Sequence, residues 1–199
     1  MRHTLSICAV SVGLALAACA SLPPGTPGVP AQLPVGGNFD LAGRLAVRYE
    51  DKGFSGSLRW QHRDTGDVLA LGSPLGQTVA QLTSDGSGAQ LITSDQKRYS
   101  AVNVETLVRQ ALGWELPLTG LSHWALGNPV PGDAITVQER DAQGRLVRFV
   151  QNAWQVQISS YAAPERGGGP ARMQLDYGNN LEIRLVIDDL KTEPAALMQ

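Results

Sequence analysis

Alternation of apolar and polar residues is the feature of this sequence that most restricts its fold. In the segment "FDLAGRLAVRY", the residues on one side of an extended chain are Phe39, Leu41, Leu45, Val47 and Tyr49. Because successive side chains of a strand point to opposite faces, this period of two predicts a strand with one buried and one solvated face. The segment "FSGSLRWQH" repeats the pattern and predicts a second strand of the same kind.

Short segments of similar character continue to the C-terminus. The further predicted strands are Val68–Gly72, Thr78–Thr83, Ala89–Thr93, Arg98–Ala101, Ala134–Arg140, Leu146–Gln151, Trp154–Tyr161, Arg172–Tyr177 and Leu181–Asp188. The connections "SDGSG", "TSDQK", "RDAQG" and "DYGNN" have the composition of tight turns. About eleven closely spaced strands predict a mainly β fold, an antiparallel meander that closes toward a barrel.

One central segment breaks this period and predicts helix. In "NVETLVRQALG", Asn103 is suited to cap the helix, Glu105 lies in its first turn, and Gly113 ends it. "LTGLSHWALG" predicts a short second helix that ends at Gly127. The sequence leaves two roles open for this pair, ordinary core packing on a sheet face or a cover over an open barrel mouth. The apolar positions at helical spacing in the first helix are Val104, Leu107, Val108, Ala111 and Leu112.

The N-terminus has the features of a bacterial lipoprotein signal. "MRH" is followed by an apolar stretch of about 15 residues, which is too short to span a bilayer comfortably. The stretch ends in "LAAC", which resembles the lipobox, in which the cysteine sulfur receives a diacylglyceryl group. Cys8 is the competing cysteine, but the bulky Ile7 precedes it and almost no apolar region comes before. We therefore predict a signal peptide at 1–18 and lipid attachment at Cys19.

The residues that follow Cys19 predict a tether and a location. "ASLPPGTPGVPAQLPVGG" is uncharged and rich in proline and glycine, so 19–37 is predicted to be the acylated cysteine and a semi-extended tether. In proteobacterial lipoproteins, an aspartate directly after the acylated cysteine resembles an inner-membrane retention signal. This sequence has Ala20 at that position instead. We expect the outer membrane, with the domain facing the periplasm. The remaining residues, 38–199, are predicted to form one domain.

Composition and motifs argue against several other classes of function. A formal net charge of −2 in 199 residues gives no support for nucleic-acid binding. The glycines Gly167–Gly169 are not followed by the lysine of a phosphate-binding loop, and no G-x-S-x-G segment is present. We read His62 and His123 as solvated or structural. The sequence predicts no catalytic residue, no cofactor and no metal, so a periplasmic hydrolase is the less favoured alternative.

The segment "SPLGQT" raises a separate question. Pro74 and Gly76 predict a tight turn that leaves Leu75 at a corner, where side chains usually point into water. Isolated exposed apolar residues are common, so Leu75 is either one of these or a residue whose exposure serves a function.

Several segments together resemble the LolB family of outer-membrane lipoprotein receptors. They are "GRLAV", "SLRW", "LALGSPLGQTVAQL", "LGWELPLTGLSHWALG" and "NAWQVQISSY", and the resemblance runs from about Phe39 to Asp188. The one departure is Leu190 in "IDDLK", where a tryptophan is expected. The resemblance implies an unclosed antiparallel barrel with helices over its mouth and an apolar cavity between them.

The same resemblance implies a function. LolB-like proteins accept lipoproteins from a soluble periplasmic carrier, LolA, and place them in the inner leaflet of the outer membrane. Leu75 would correspond to the leucine of the family's protruding loop, which touches the bilayer or the acyl chains. We expect a monomer whose partners are the carrier, the acyl chains of its lipoprotein cargo and the outer-membrane bilayer. A passive envelope adaptor without a cavity remains the alternative.

Apolar residues on the inward faces are predicted to include the residues that contact lipid. Burial of a methylene is worth about 0.8 kcal/mol, so a long acyl chain needs an aliphatic cavity rather than chemistry. The predicted cavity or lid residues are Leu45, Val47, Trp60, Leu71, Leu107, Leu112, Trp124, Phe149 and Val156.

Overall fold

A computed structural model of the chain describes residues 37–114 and 116–193. It contains two helices, α1 (Val104–Leu112) and α2 (Leu118–Trp124), and a short 3-10 turn at Pro164–Arg166. The strands are β1 (Phe39–Tyr49), β2 (Lys52–Arg63), β3 (Gly66–Gly72), β4 (Thr78–Asp85), β5 (Gly88–Thr93), β6 (Arg98–Ala101), β7 (Ile135–Arg140), β8 (Leu146–Gln151), β9 (Trp154–Tyr161), β10 (Pro170–Tyr177) and β11 (Leu181–Thr192). The mainly β fold predicted from the sequence is confirmed.

The eleven strands form one antiparallel sheet in the order β6-β5-β4-β3-β2-β1-β11-β10-β9-β8-β7. Only β1 and β11 are neighbours without being consecutive along the chain, because the last strand returns to pair with the first. Within the described residues β6 and β7 are the two edges and do not pair with each other, so the barrel is unclosed. Strand β11 continues past Leu190, which pairs with Leu41, and ends at Thr192.

The alternation in β1 has the predicted consequence. Phe39, Leu41 and Leu45 are buried, whereas Arg44 and Arg48 lie on the outer face. Both arginines form ion pairs with β11, and Arg44 donates to the Asp188 carboxylate at 2.8 and 3.1 Å. Exposed pairs of this kind contribute about 0–1 kcal/mol, so burial of the inner face is the larger stabilising term.

The two helices lie in the connection between the edge strands β6 and β7. The Asn103 side chain accepts a hydrogen bond from the Thr106 N–H at 2.9 Å, and Gly113 ends α1 with φ +81°. Both predicted end signals of α1 are therefore confirmed. The apolar stripe of α1 packs against the concave side of the sheet, with Leu107 fully buried. In the described part of the chain, no helix is long and apolar enough to cross a membrane.

Buried side chains of β8–β11 form a second part of the core. Gln151 of β8 is buried there, and its Oε1 accepts hydrogen bonds from Trp124 Nε1 at 3.0 Å and from the Val130 N–H at 2.8 Å. Gln151 Nε2 donates to the carbonyl oxygens of Val130 and Asp133. A buried amide with partners for both its atoms fixes the segment after α2 to the sheet. The fully buried side chains in this part of the core include Trp124, Phe149, Val156, Leu175 and Ile183.

Candidate functional site

The opposite half of the concave face is not filled. A cavity of about 220 Å³ lies between the helical connection and the inner face of β2–β5, and β1 and β11 each contribute one lining residue. Its described lining carries no charged side chain and has Thr93 as its only hydroxyl. The lining residues are Leu45, Phe54, Leu58, Trp60, Leu69, Leu71, Val79, Ala80, Leu82, Leu91, Thr93, Val108, Trp114, Leu116, Leu118, Leu121 and Leu185.

Strand register explains why the cavity wall is so uniformly apolar. Side chains directly opposite one another on antiparallel strands share a face and lie close together. The pairing of β2–β5 therefore produces two parallel rows of side chains across the sheet. One row is Trp60, Leu69, Leu82 and Leu91, and the other is Leu58, Leu71, Ala80 and Thr93.

The cavity reaches the surface at the end of these strands that is nearest the β3–β4 turn. The lining residues Phe54, Leu71, Val79 and Trp114 are partly exposed there, whereas Leu58 and Trp60 are buried. On β2, Gly56 lies between the partly exposed Phe54 and the buried Leu58. A Cβ at Gly56 would lie 1.9 Å from the Gly72 carbonyl oxygen and 2.9 Å from the Phe54 ring. The absent side chain allows Phe54 to lie close to the backbone at the mouth.

The deep end of the cavity is closed by Trp60, which is 2% exposed. Its Nε1–H donates to Asp67 Oδ1 at 2.7 Å, and the Phe39 ring packs edge-on against the indole with a centroid separation of 4.9 Å. The same Asp67 oxygen lies 2.7 Å from His62 Nδ1, and Ser84 Oγ donates to Asp67 Oδ2 at 3.4 Å. The carboxylate thus joins three neighbouring strands immediately beyond the apolar rows.

A separate polar cleft of about 360 Å³ lies beyond this carboxylate. His62, Asp67, Ser84, Glu105 and His123 are among its lining residues. Burial lowers the pKa of His123 below its usual 6.5, the nearby His62 adds to this, and Asp133 opposes it. His123 Nδ1 is buried without a hydrogen-bond partner in the structure. Within residues 37–114 and 116–193, no three His, Cys, Asp or Glu side chains are grouped to hold a metal.

The β3–β4 turn holds Leu75 away from the protein. The Gly76 N–H donates to the Ser73 carbonyl at 2.9 Å, which closes the turn, and Gly76 has φ +84°. Such a positive φ is suited to glycine. A second bond, from the Ser73 N–H to the Gln77 carbonyl at 2.7 Å, ties the base of the turn. Leu75 is 89% exposed, the exposure that the turn sequence predicts.

The structure places the predicted cavity residues in different surroundings. Leu45, Trp60 and Leu71 line the cavity. Leu112 ends α1, and its side chain lies outside the described residues, as do Cys19 and the tether up to residue 36. The remaining five are buried in the core without lining the cavity, and they are Val47, Leu107, Trp124, Phe149 and Val156.

The lining residues absent from the predicted set fall into two groups, of which only the first has a signal in the sequence. Leu69, Leu82 and Leu91 lie opposite Trp60 or its partners, and each follows from the strand pattern once the hairpin register is known. Leu116, Leu118 and Leu121 come from the helical connection. Their position over β2–β5 depends on how this connection crosses the sheet, which no local pattern specifies.

Comparison with known proteins agrees with the fold and the segments noted above. The family model described as "Outer membrane lipoprotein LolB" matches residues 37–189. The chain is 38% identical over 156 residues to the outer-membrane lipoprotein LolB of Nitrosomonas europaea, covering 78% of this chain and 73% of the relative. It is 36% identical over 187 residues to the LolB protein of Azoarcus sp., covering 94% and 95%.

A solved structure shares the architecture at low identity. It is a LolA superfamily protein from Nitrosomonas europaea, with a TM-score of 0.50 and 8% identity over 83% of this chain and 90% of that one. This likeness concerns the fold alone, whereas the family model and the relatives above match by sequence over most of the chain. The chain therefore belongs to the LolB family of outer-membrane lipoproteins.

Proposed function

We propose that this protein is an outer-membrane receptor that accepts lipoproteins from a periplasmic carrier of the LolA type and inserts them into the inner leaflet. Membership of the LolB family supports a role in lipoprotein localisation at the outer membrane. The observation that carries the finer proposal is an uncharged cavity whose mouth lies beside an exposed leucine. An acyl chain needs shielding in the cavity and an apolar contact at the point of release.

The cavity supplies affinity without chemistry. Transfer of one methylene from water to an apolar site is worth about 0.8 kcal/mol, so a partly inserted acyl chain is already held by several kcal/mol. A cavity of about 220 Å³ is smaller than the roughly 300–1,000 Å³ of sites that enclose a drug-sized ligand. We therefore expect α1, α2 and the segment between them to move away from β2–β5 when a complete lipid anchor is bound.

The position of Leu75 supports a role in the release step. Its turn follows β3, which contributes Leu69 and Leu71 to the cavity wall, so the exposed side chain lies beyond the partly exposed mouth. Leucine enters the membrane interface favourably, and its backbone turn is closed without using the side chain. In this proposal Leu75 meets the bilayer and guides acyl chains from the cavity into lipid, with Pro74 and Gly76 shaping the turn.

The anchor completes the proposal. Acylation of Cys19 would attach the mature chain to the outer membrane, and residues 20–37 would let the domain work in the periplasm beside that membrane. A single acyl chain gives marginal binding, and stable anchoring takes at least two, which a diacylglyceryl group provides. The carrier, the lipoprotein cargo and the bilayer are the proposed partners, and the receptor acts as a monomer.

The hydrolase alternative gains no support from the polar residues near the cavity. Ser84 Oγ bonds to the Asp67 carboxylate, and His62 bonds to that same carboxylate. A nucleophilic serine needs its hydroxyl hydrogen-bonded to the base that takes its proton. In this trio the two hydrogen bonds converge on the aspartate instead.

The test is transfer of a labelled lipoprotein in two stages. The carrier loaded with labelled lipoprotein is mixed with the receptor, and the label is followed first to the receptor and then to liposomes. We expect uptake without added nucleotide, followed by delivery to lipid. A receptor that takes no lipoprotein, and that binds no apolar fluorescent probe while folded, would leave the passive adaptor as the better description.

A further inference from the structure

The apolar cavity and the polar cleft lie end to end on the same face of β2–β5. Both spaces are lined by Leu118 of α2, so one helix covers the boundary. On β2, β3 and β4 the side chains change from apolar to polar between one row and the next, whereas β5 continues with the apolar Ala89. The last residues on the apolar side are Trp60, Leu69 and Leu82, and their polar counterparts two residues away are His62, Asp67 and Ser84.

Trp60 is the largest side chain at this boundary, and two contacts hold it. The indole N–H donates to Asp67 Oδ1 at 2.7 Å, and Phe39 packs edge-on against the ring. Asp67 is itself tied to His62 and Ser84. Since an indole has one donor and no acceptor, a single carboxylate oxygen satisfies it and fixes the ring orientation.

We propose that Trp60 is the specificity-determining residue that stops an acyl chain at the deep end of the cavity and so sets the length of chain that the cavity accommodates. Asp67 is the positioning residue that keeps the indole across this end. The inference rests on the proposed function, because it assumes that acyl chains enter this cavity from the mouth at Phe54 and Leu71. A chain that passed Trp60 would meet the polar row instead of apolar wall.

The proposal predicts a limit to how far binding affinity rises with the length of the acyl chain. While additional methylenes find apolar wall, affinity rises about fourfold for each methylene. Beyond the length at which the chain meets Trp60, further methylenes stay in water at the mouth and affinity stops rising. The chain length at which this plateau begins measures the position of the stop.

The experiment uses the mature chain with Cys19→Ala, so that no anchor of its own competes for the cavity. Straight-chain fatty acids of about 8 to 18 carbons displace 1-N-phenylnaphthylamine, and their affinities are compared with the slope expected per methylene. We expect the wild-type side chain at position 60 to give a plateau within this series. Trp60→Leu is expected to move the plateau to longer chains by about two methylenes, the length that fits into the space vacated by the indole before the chain meets the polar row.

Trp124→Leu is the matched control. Trp124 is also buried and its Nε1 also donates to a side-chain oxygen, that of Gln151, but it lies outside the cavity. It loses the same side-chain atoms from the core, so its loss of stability is comparable. Its plateau should stay at the wild-type length. A shift of equal size in both variants would show that loosened packing, not a stop at Trp60, determines chain length.

The role of Asp67 is tested through Trp60. Asp67→Asn keeps an oxygen that can accept from the indole, and it should retain the plateau, whereas Asp67→Ala should move it to longer chains. Trp60→Phe cannot donate, so its plateau should also move, and Asp67→Ala added to Trp60→Phe should move it no further. An additional shift in the double variant would overturn a positioning role. If Asp67→Ala alone does not fold, the test is Trp60→Phe by itself. An unmoved plateau in that variant would likewise overturn the positioning role.

The outcomes separate this inference from the proposed function. A plateau that is unchanged in Trp60→Leu overturns the stop but leaves the receptor function standing, provided that fatty acids bind. Failure of every fatty acid to bind the folded parent chain overturns both. A plateau that moves in Trp60→Leu and not in Trp124→Leu supports the stop.

Discussion

Phe39 and Leu75 lie at opposite ends of the neighbouring strands β1–β3. Phe39 pairs with His62, beside the hairpin that joins β2 to β3, whereas Leu75 stands beyond Gly72 at the far end of β3. At roughly 3.3 Å per residue, the strand separates the two ends by about 20 Å. The tether joins the domain at the Phe39 end, so the membrane-facing residue of the proposed mechanism is on the side away from the attachment point.

The length of the tether is therefore expected to matter for delivery. At roughly 3.1 Å per residue, the residues between Cys19 and Gly37 can reach about 50 Å, more than the distance to be bridged. Deletion of 22–36 leaves a reach of about 10 Å on the same basis. Delivery into the receptor's own liposome should fall several-fold, while uptake from the carrier stays normal. Replacement of 22–36 by glycine and serine of equal number is the control and should restore delivery.

Acylation itself is tested with Cys19→Ala. The described core begins at Phe39, so the unacylated chain should keep its melting temperature and be recovered in the soluble periplasmic fraction. Fractionation and thermal unfolding measure the two properties. Recovery of Cys19→Ala with the membranes would show that the chain is attached by something other than this cysteine.

Substitution of Leu75 separates release from uptake. Leu75→Glu should change the free energy of unfolding by no more than about 0.5 kcal/mol, because the side chain is exposed and the turn is closed by backbone bonds. A carboxylate must be dehydrated to enter the membrane interface, so delivery to liposomes should be lost while uptake persists.

Val102 provides the matched control for Leu75. It is 82% exposed and follows β6, at the Phe39 end of the neighbouring strands. Val102→Glu introduces the same charge at a comparably exposed apolar residue and should deliver normally. Equal loss of delivery in both variants, or normal delivery by Leu75→Glu, would place Leu75 among ordinary exposed leucines.

A charge at the mouth of the cavity should block binding without unfolding the protein. Leu71 is partly exposed and lines the cavity, so Leu71→Asp should weaken binding of an apolar probe by about tenfold or more, since lipid would have to cover a carboxylate. Val137→Asp is the control, because Val137 lies on β7 outside this cavity and is 40% exposed. Unaltered binding by folded Leu71→Asp would contradict the proposed entry route.

His123 gives a prediction for the effect of pH on stability. Its pKa is lowered in the folded state by burial and by His62, so folding favours the neutral ring. This contribution of His123 to the free energy of unfolding is fully present above its unfolded pKa of 6.5. It is lost as the pH falls from there through the lower pKa of the folded state. Thermal unfolding between about pH 7.5 and pH 5 should show a smaller decrease for His123→Gln than for the parent chain. Identical decreases would assign the acid sensitivity to other groups.

The sequence by itself determined the strands, the ends of α1 and the exposed turn, whereas α2 ends at Trp124 and not at the predicted Gly127. Each depends on neighbours within a few residues: the alternation around Leu45 and Val47, the Asn103 cap, and the corner formed by Pro74 and Gly76. Local pattern is sufficient there because the backbone and its nearest side chains decide the conformation. The LolB resemblance rests on several short segments taken together, and the family match confirms it.

Only the tertiary structure decided which apolar residues enclose empty space. Trp60 and Trp124 are both buried indoles with a side-chain acceptor, yet one closes a cavity and the other fills the core beneath β8 and β9. The sequence pattern is the same for both residues, because the hydrophobic effect depends on the apolar area removed from water. It does not depend on whether that area then contacts packed side chains or lines a cavity. The difference arises from strand register and from the path of the helical connection, which place Trp124 and Val130 against Gln151 in one half and leave β2–β5 to face a gap.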